Sequence, residues 1–229
     1  MKILALEFSS PQRSVAVLQG AHAPPRASFD APSNKPVSVS EVVATDLRSA
    51  ALGLIDDLLH EAKLEREQID CLAVGLGPGS YTGIRAAIAL AQGWQLANGV
   101  KLLGVSSAEC LAAQAQADGF VGRINVVMDA QREEFYLAGY ELGATGWREI
   151  APLRLAPLAE VRERERAGEV LTGPEVTRWF PSGRNLFPRA ATLARLAVRR
   201  NDFVAGEKLE PIYLRETRFV KAPPPRVNF

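Results

Sequence analysis

The sequence predicts an α/β protein of two lobes laid out on one repeated plan, and three observations carry that reading. First, the apolar run Lys2–Leu6 meets a polar turn at Glu7–Gln12 and returns at Arg13–Leu18, which is a hairpin with an acid at its tip. Second, the device recurs: Ile124–Met128 ends in Asp129, turns through AQRE and returns at Phe135–Tyr140, as an internal duplication would. Third, the stretch GLGPGSYTGIR, Gly75–Arg85, joins a short apolar strand to an almost wholly apolar helix.

In the first half, the segment Gly20–Ser40 is rich in Pro, Ser and Ala, so any strand in it is short and at an edge; Ala27–Asp30 is the candidate. From Glu41 to Ala62 apolar residues recur at Val43, Leu47, Ala51, Leu54, Ile55, Leu58 and Ala62, spacings that predict one amphipathic helix. Cys71–Leu76 and Lys101–Val105 are strands. Ser80 or Thr82 caps the helix Gly83–Asn98, which Gly99 ends, and Ser106 or Ser107 caps another running to about Ala117.

The second half continues with a third strand at Trp147–Leu155 and a short helix at Pro157–Arg166 whose alternating Arg and Glu read as a solvated face. Short strands at Glu169–Leu171 and Asn185–Phe187 precede a final helix, Arg189–Arg200, with Leu193, Leu196 and Ala197 inward. Pro211 and Pro223–Pro225 predict an extended tail across the surface. Tyr136 and Tyr213 read as core residues with a polar tip.

With 229 residues, 47% of them hydrophobic and 23% charged, the chain can bury a sizeable core. The N-terminal apolar stretch stops at Glu7 and no run reaches membrane-spanning length, so a cytoplasmic location without a membrane contact is expected. Net charge is +1, yet residues 1–119 carry 9 basic and 12 acidic side chains against 18 and 14 in residues 120–229, a modest basic excess that reads as ordinary surface. Cys71 and Cys110 sit among apolar neighbours and read as buried, reduced thiols. His22 and His60 are 38 positions apart, with no ligand spacing around them, so no zinc or iron site is expected.

Between strand and helix, Gly75, Gly77 and Gly79 remove three β-carbons, which makes the loop either a packing joint or a phosphate cradle. It is neither a P-loop, which needs Lys then Ser or Thr at the helix start, nor the G-x-G-x-x-G dinucleotide motif. Nor is it the G-x-S-x-G elbow of a hydrolase, and Ser80 reads as a helix cap. Arg85 places a cation in the first turn of a helix, against the dipole, and calls for an internal carboxylate or for a bound anion or partner acid. The candidate nucleotide or anion site is therefore Glu7, Ser9, Gly77, Gly79, Ser80 and Arg85 from the first half, with Asp129 and Arg132 from the second hairpin, where Arg132 either closes against Glu7 or meets an anion.

GLGPGSYTGIR, GVSSAE (Gly104–Glu109), DAQREEFY (Asp129–Tyr136) and PIYLR (Pro211–Arg215) together resemble the bacterial TsaB (YeaZ) family of tRNA threonylcarbamoyladenosine biosynthesis proteins. The resemblance implies an actin-like (ASKHA) two-lobed fold of duplicated ribonuclease H-like lobes, here residues 1–118 and 119–229. It also implies a non-catalytic scaffold that pairs with a TsaD-like transferase, works with a TsaE-like ATPase and meets tRNA indirectly through the complex. No tightly bound cofactor is expected, with ATP or ADP at a composite site formed with partners. Phe8 and Glu7 depart from the small-residue, Asp-bearing hairpin of active fold members, which argues against the rival reading as an autonomous ATPase or kinase; the missing paired-His helix argues against an M22-type glycoprotease-like metalloenzyme. The helix Gly83–Asn98 is apolar nearly all round, so Leu47, Ala51, Leu54, Ala87, Ala91 and Trp94 are expected at an interface that forms a homodimer alone and exchanges it for the transferase.

Overall fold

A computed structural model describes residues 1–20, 37–45 and 51–215. The strand expected at Ala27–Asp30, residue Leu47 and the prolines at 223–225 lie outside the described residues.

The first sheet has the order β3-β2-β1-β4-β5, built from β1 (Ile3–Glu7), β2 (Arg13–Gln19), β3 (Ser38–Ala44), β4 (Cys71–Gly75) and β5 (Lys101–Val105). β1, β2 and β3 are antiparallel, while β4 and β5 run parallel to β1. The second sheet repeats this arrangement as β10-β9-β6-β7-β8, with β6 (Gly122–Asp129), β7 (Glu134–Leu142), β8 (Trp147–Pro157), β9 (Val170–Gly173) and β10 (Arg184–Asn185). Again three strands are antiparallel and two parallel. The duplication read from the two hairpins is therefore a duplication of whole sheets, and the fold is an α/β one of two five-stranded sheets.

One element differs from expectation. The helix read over Glu41–Ala62 is two elements among the described residues: β3 takes Ser38–Ala44, and Ala51–Glu61 is helix α1. Val39 to Val43 is β-branched at every apolar position, which suits a pleated strand, and β3 pairs with β2 along its whole length from Ser38↔Gln19 to Ala44↔Arg13. Spacings of three and four that continue into α1 concealed the break.

Alternation sorts β1 between two cores. Leu4 and Leu6 join Val15, Val17, Leu72 and Val74 under α1 and α2 (Tyr81–Asn98), whereas Ile3 and Ala5 join Ala16, Leu18, Cys71 and Ala73 on the opposite face. That opposite face is covered by α5 (Ala190–Val198), from the far end of the chain. In exchange α3 (Ser107–Ala117) lays Ala108, Leu111, Ala112 and Ala115 on β6 and β7 of the second sheet. α3 and α5 touch through the Thr192–Gln114 hydrogen bond, so each sheet is capped by a helix from the other half. The remaining face of the second sheet packs on α4 (Leu158–Arg166) and a 3₁₀ turn at Val176–Arg178 that stands where the first half has α2.

Candidate functional site

β1 delivers Glu7 to the end of the first sheet, where it is 0% exposed. Its Oε1 accepts a hydrogen bond from the Ser9 amide at 2.8 Å, and its Oε2 accepts one from the Ser107 hydroxyl at 3.0 Å. Ser107 opens α3, so the carboxylate faces a helix N-terminus, where the dipole favours negative charge. Burial nevertheless pushes the Glu7 carboxyl above the usual range, and the bonds to Ser9 and Ser107 only offset part of that.

The glycine loop closes on this hairpin tip. A β-carbon on Gly79 would stand 2.1 Å from the Ser9 carbonyl oxygen, one on Gly83 would stand 2.0 Å from that of Phe8, and one on Gly75 would meet Glu7 Oε2 at 2.1 Å. The Ser80 amide donates to Ser9 O at 2.7 Å, while Ser107 holds the other side, donating its amide to Gly77 O at 2.8 Å and accepting from Gly77 N at 3.2 Å. Ser80 is the N-cap of α2, its Oγ accepting from Gly83 N at 3.3 Å. Glu7, Ser9, Gly77, Gly79 and Ser80 thus come together as a dense joint of backbone on backbone, with carbonyl oxygens facing Gly79 and Gly83.

Arg85 lies one turn further on, exposed, and its partners are aromatic rather than carboxylate. Its guanidinium is 4.2 Å from the Tyr81 ring centroid and 5.8 Å from that of Tyr213, and its Nε donates to the Tyr213 hydroxyl at 3.0 Å. The two tyrosine rings stack at 5.9 Å. Tyr213, expected in the core, is 45% exposed because the segment carrying it runs along the outside of the glycine loop. Val204 bridges to Leu102 at the edge of β5, Leu209 enters the first core, and the Ile212 amide donates to Leu76 O at 2.9 Å. Arg215 then reaches the second hairpin, donating to Ala130 O at 3.0 Å and Gln131 O at 3.3 Å and pairing with Glu134.

Asp129 and Arg132 are exposed at that second tip and do not reach Glu7. Asp129 Oδ1 accepts from the Gln131 amide at 2.7 Å, and Arg132 has no hydrogen bond or ion pair with a described residue. Sequence reasoning missed Ser107, Tyr81 and Arg215 as parts of the site. PIYLR, with an aromatic and a cation close to a proline in an extended tail, was the signal for two of the joining residues, Tyr213 and Arg215.

The residues expected at an interface need correction. Ala87 and Ala91 are fully buried, and Leu54 and Trp94 nearly so, all in the core between α1, α2 and the first sheet; Ala51 is half-buried. The outward face of α2 is instead Ala89, Gly93, Leu96 and Ala97, with Ala86 beside it. Leu96 is 89% exposed, and Leu52 on α1 is 50% exposed. The helix is apolar all round, so the choice of face fell to packing against β1 and β4 rather than to composition.

Among the described residues no three of His, Cys, Asp and Glu gather as metal ligands. Burial raises the Cys71 thiol to about 12 and raises Cys110 as well, leaving neither available as thiolate. A cavity of about 560 Å³ lies at the opposite end of the first sheet, lined by Met1, Glu67, Asp70, Asn98 and Lys101 among others.

Comparison with known proteins agrees with this geometry. The sequence profile of the family described as TsaD, tRNA N6-adenosine threonylcarbamoyltransferase, matches residues 39–213. The tRNA threonylcarbamoyladenosine biosynthesis protein TsaB of Escherichia coli K12 is 29% identical over 181 residues, covering 72% of this chain and 78% of that one. TsaB of Haemophilus influenzae is 26% identical over 247 residues, covering 97% and 98%. Among solved structures, YeaZ from Pseudomonas aeruginosa superposes with a TM-score of 0.71 at 26% identity, covering 93% of this chain and 99% of that one. A profile match across most of the chain, relatives aligned nearly end to end and a shared two-sheet fold place this chain in the tRNA N6-adenosine threonylcarbamoyltransferase family, on its TsaB (YeaZ) branch.

Proposed function

We propose that the chain is a non-catalytic scaffold subunit of tRNA threonylcarbamoyladenosine synthesis, activating a TsaD-like transferase by docking on it. Family membership supports the pathway and the TsaD-like partner. The observation that carries the docking mode is the outward face of α2, where Ala86, Ala89, Gly93, Leu96 and Ala97 leave an apolar stripe in water beside Leu52 of α1. Small side chains let a partner helix approach closely, and Gly93 has open space where a β-carbon would stand. The same surface serves a homodimer when the chain is alone, and the transferase displaces it.

In this reading the first joint is a structural hinge-pin rather than a nucleotide cradle, since Gly79 and Gly83 are filled by the backbone of Ser9 and Phe8. ATP or ADP then belongs to a composite site completed by partners, among them a TsaE-like ATPase, with tRNA met through the assembled complex in the cytoplasm. Ala89→Arg tests the docking surface, because Ala89 is exposed and the change leaves the core untouched. The variant keeps the parent melting temperature, loses co-elution with the TsaD-like partner and fails to support threonylcarbamoyladenosine formation in a reconstituted reaction. Normal binding and activity by a folded Ala89→Arg protein would sink the proposal.

A further inference from the structure

Arg85 stands at one end of the stripe that a partner covers. On α2 it precedes Ala86, Ala89, Gly93 and Leu96 on the outward face, so any chain lying along that stripe closes over the guanidinium. The geometry around it is already set. The Tyr81 ring supports the guanidinium at 4.2 Å, and the one hydrogen bond it makes with a described residue is from Nε to the Tyr213 hydroxyl. Both terminal nitrogens therefore remain without a hydrogen-bond or ion-pair partner among the described residues. Tyr81 is 58% exposed, so the support itself faces outward.

A cation in this position is costly to cover. It lies just past the first turn of α2, on the side of the helix's positive end, and no carboxylate of the described chain pairs with it. Burying an unpaired arginine under an apolar partner loses hydration with no return, whereas a planar carboxylate can take both terminal nitrogens at once. The orienting bond from Nε matters here, because it fixes the plane of the fork before the partner arrives and reduces the entropy lost on pairing.

We propose that Arg85, held by Tyr81 and Tyr213, is a preformed receptor for a carboxylate side chain of the partner protein that docks on α2. The inference rests on the docking reading and adds the chemistry of the partner: an Asp or Glu at the end of its apolar contact, aimed at the start of α2. The strap from Val204 to Arg215 gains a role as well, since it carries Tyr213 to the fork and anchors itself on the second hairpin through Arg215. A nucleotide phosphate is the competing anion. It is disfavoured because the adjacent loop presents the Ser9 and Phe8 carbonyl oxygens to Gly79 and Gly83 instead of a ring of open amides.

The test is the affinity of the full-length chain for the TsaD-like protein of the same organism, measured by calorimetry for the parent, Arg85→Glu, Arg85→Lys, Tyr213→Phe and Ala89→Arg. All three positions are exposed, and parent-like melting curves confirm folding. Arg85→Glu weakens binding by roughly 30-fold or more, as loss of a covered charge pair does, and Arg85→Lys and Tyr213→Phe weaken it less. Ala89→Arg abolishes it. If Ala89→Arg abolishes binding while Arg85→Glu binds like the parent, the receptor is refuted and the docking surface stands. If Ala89→Arg binds normally, the docking surface fails and the receptor falls with it. Titration of ATP with magnesium into the parent and Arg85→Glu decides the competing anion: binding that Arg85→Glu removes, with partner affinity unchanged, would make Arg85 a phosphate contact and overturn the proposal.

Discussion

The two hairpins start from the same device, a first strand ending in an acid, and use it in opposite ways. At the first tip Glu7 turns inward, loses all contact with water and is held by Ser9 and Ser107 while glycines press the neighbouring loop onto the backbone of Phe8 and Ser9. At the second, Asp129 stays outside and bonds its own turn, and Gln131, Arg132 and Glu133 run through the left-handed region at φ 65°, 58° and 60°. Rigidity comes from interlocked backbones in the first case. In the second it comes from a borrowed side chain, Arg215, which holds the carbonyls of Ala130 and Gln131. Even the strand beside each tip keeps a trace of common design: β4 ends in Gly75 and β9 in Gly173, and a β-carbon at either would strike the adjacent first strand. Duplication supplied two equivalent corners; packing made one a core and left the other at the surface.

The comparison breaks most sharply at Gly79. Alanine there places a β-carbon 2.1 Å from a backbone oxygen that cannot move aside without opening β1–β2, and it does so at φ 148°. Gly79→Ala should cost more than about 3 kcal/mol, read by chemical denaturation or by loss of soluble protein. A variant as stable as the parent would mean that the joint is loose.

Glu7 comes next. Glu7→Ala strands the Ser9 amide and the Ser107 hydroxyl in a new cavity, for about 2–4 kcal/mol. Glu7→Gln keeps the shape and removes the buried charge. Because burial raises the folded carboxyl above its ordinary 4.5, the folded chain binds a proton that the unfolded chain has released. Stability is then lost as pH rises from about 4.5 through the folded value, and no loss remains to recover below it. Glu7→Gln should accordingly melt above the parent at pH 8 and converge with it at pH 4. The reverse order at pH 8 would show that the Ser9 and Ser107 bonds outweigh desolvation.

The second tip should yield smaller effects of both signs. Arg215→Ala removes the clamp on a half-exposed turn and should cost about 1–2 kcal/mol, with faster amide exchange confined to residues 130–134. Arg132→Gly should stabilise by roughly 0.5 kcal/mol, since a left-handed conformation penalises every residue but glycine by more than glycine's own entropy loss. No gain at Arg132 would indicate that the turn relaxes freely.

What the sequence alone determined is everything set by local rules. Alternation and turn chemistry marked both hairpins, the cap at Ser80 and the stop at Gly99 follow from helix-end chemistry, and the repeated acid at a strand end revealed the duplication. The distinctive loop and the three later motifs identified the family. Three matters were left to the tertiary structure. β3 was hidden because β-branched residues at Val39, Val42 and Val43 continue without a break into helical spacing, and only pairing with β2 across the sheet reveals them as strand. The face of α2 that meets solvent was hidden because a helix apolar on all sides carries no moment to orient it, so contact with β1 and β4 decided that Ala87, Ala91 and Trp94 go inward and Ala89 and Leu96 outward. Arg85 was recognisable as an unanswered cation, but its answer lies 128 residues away in Tyr213, and no local rule spans that distance. Spacing encodes what a residue does to its own turn or strand, whereas contacts made by closing the chain depend on where the sheets bring distant segments together.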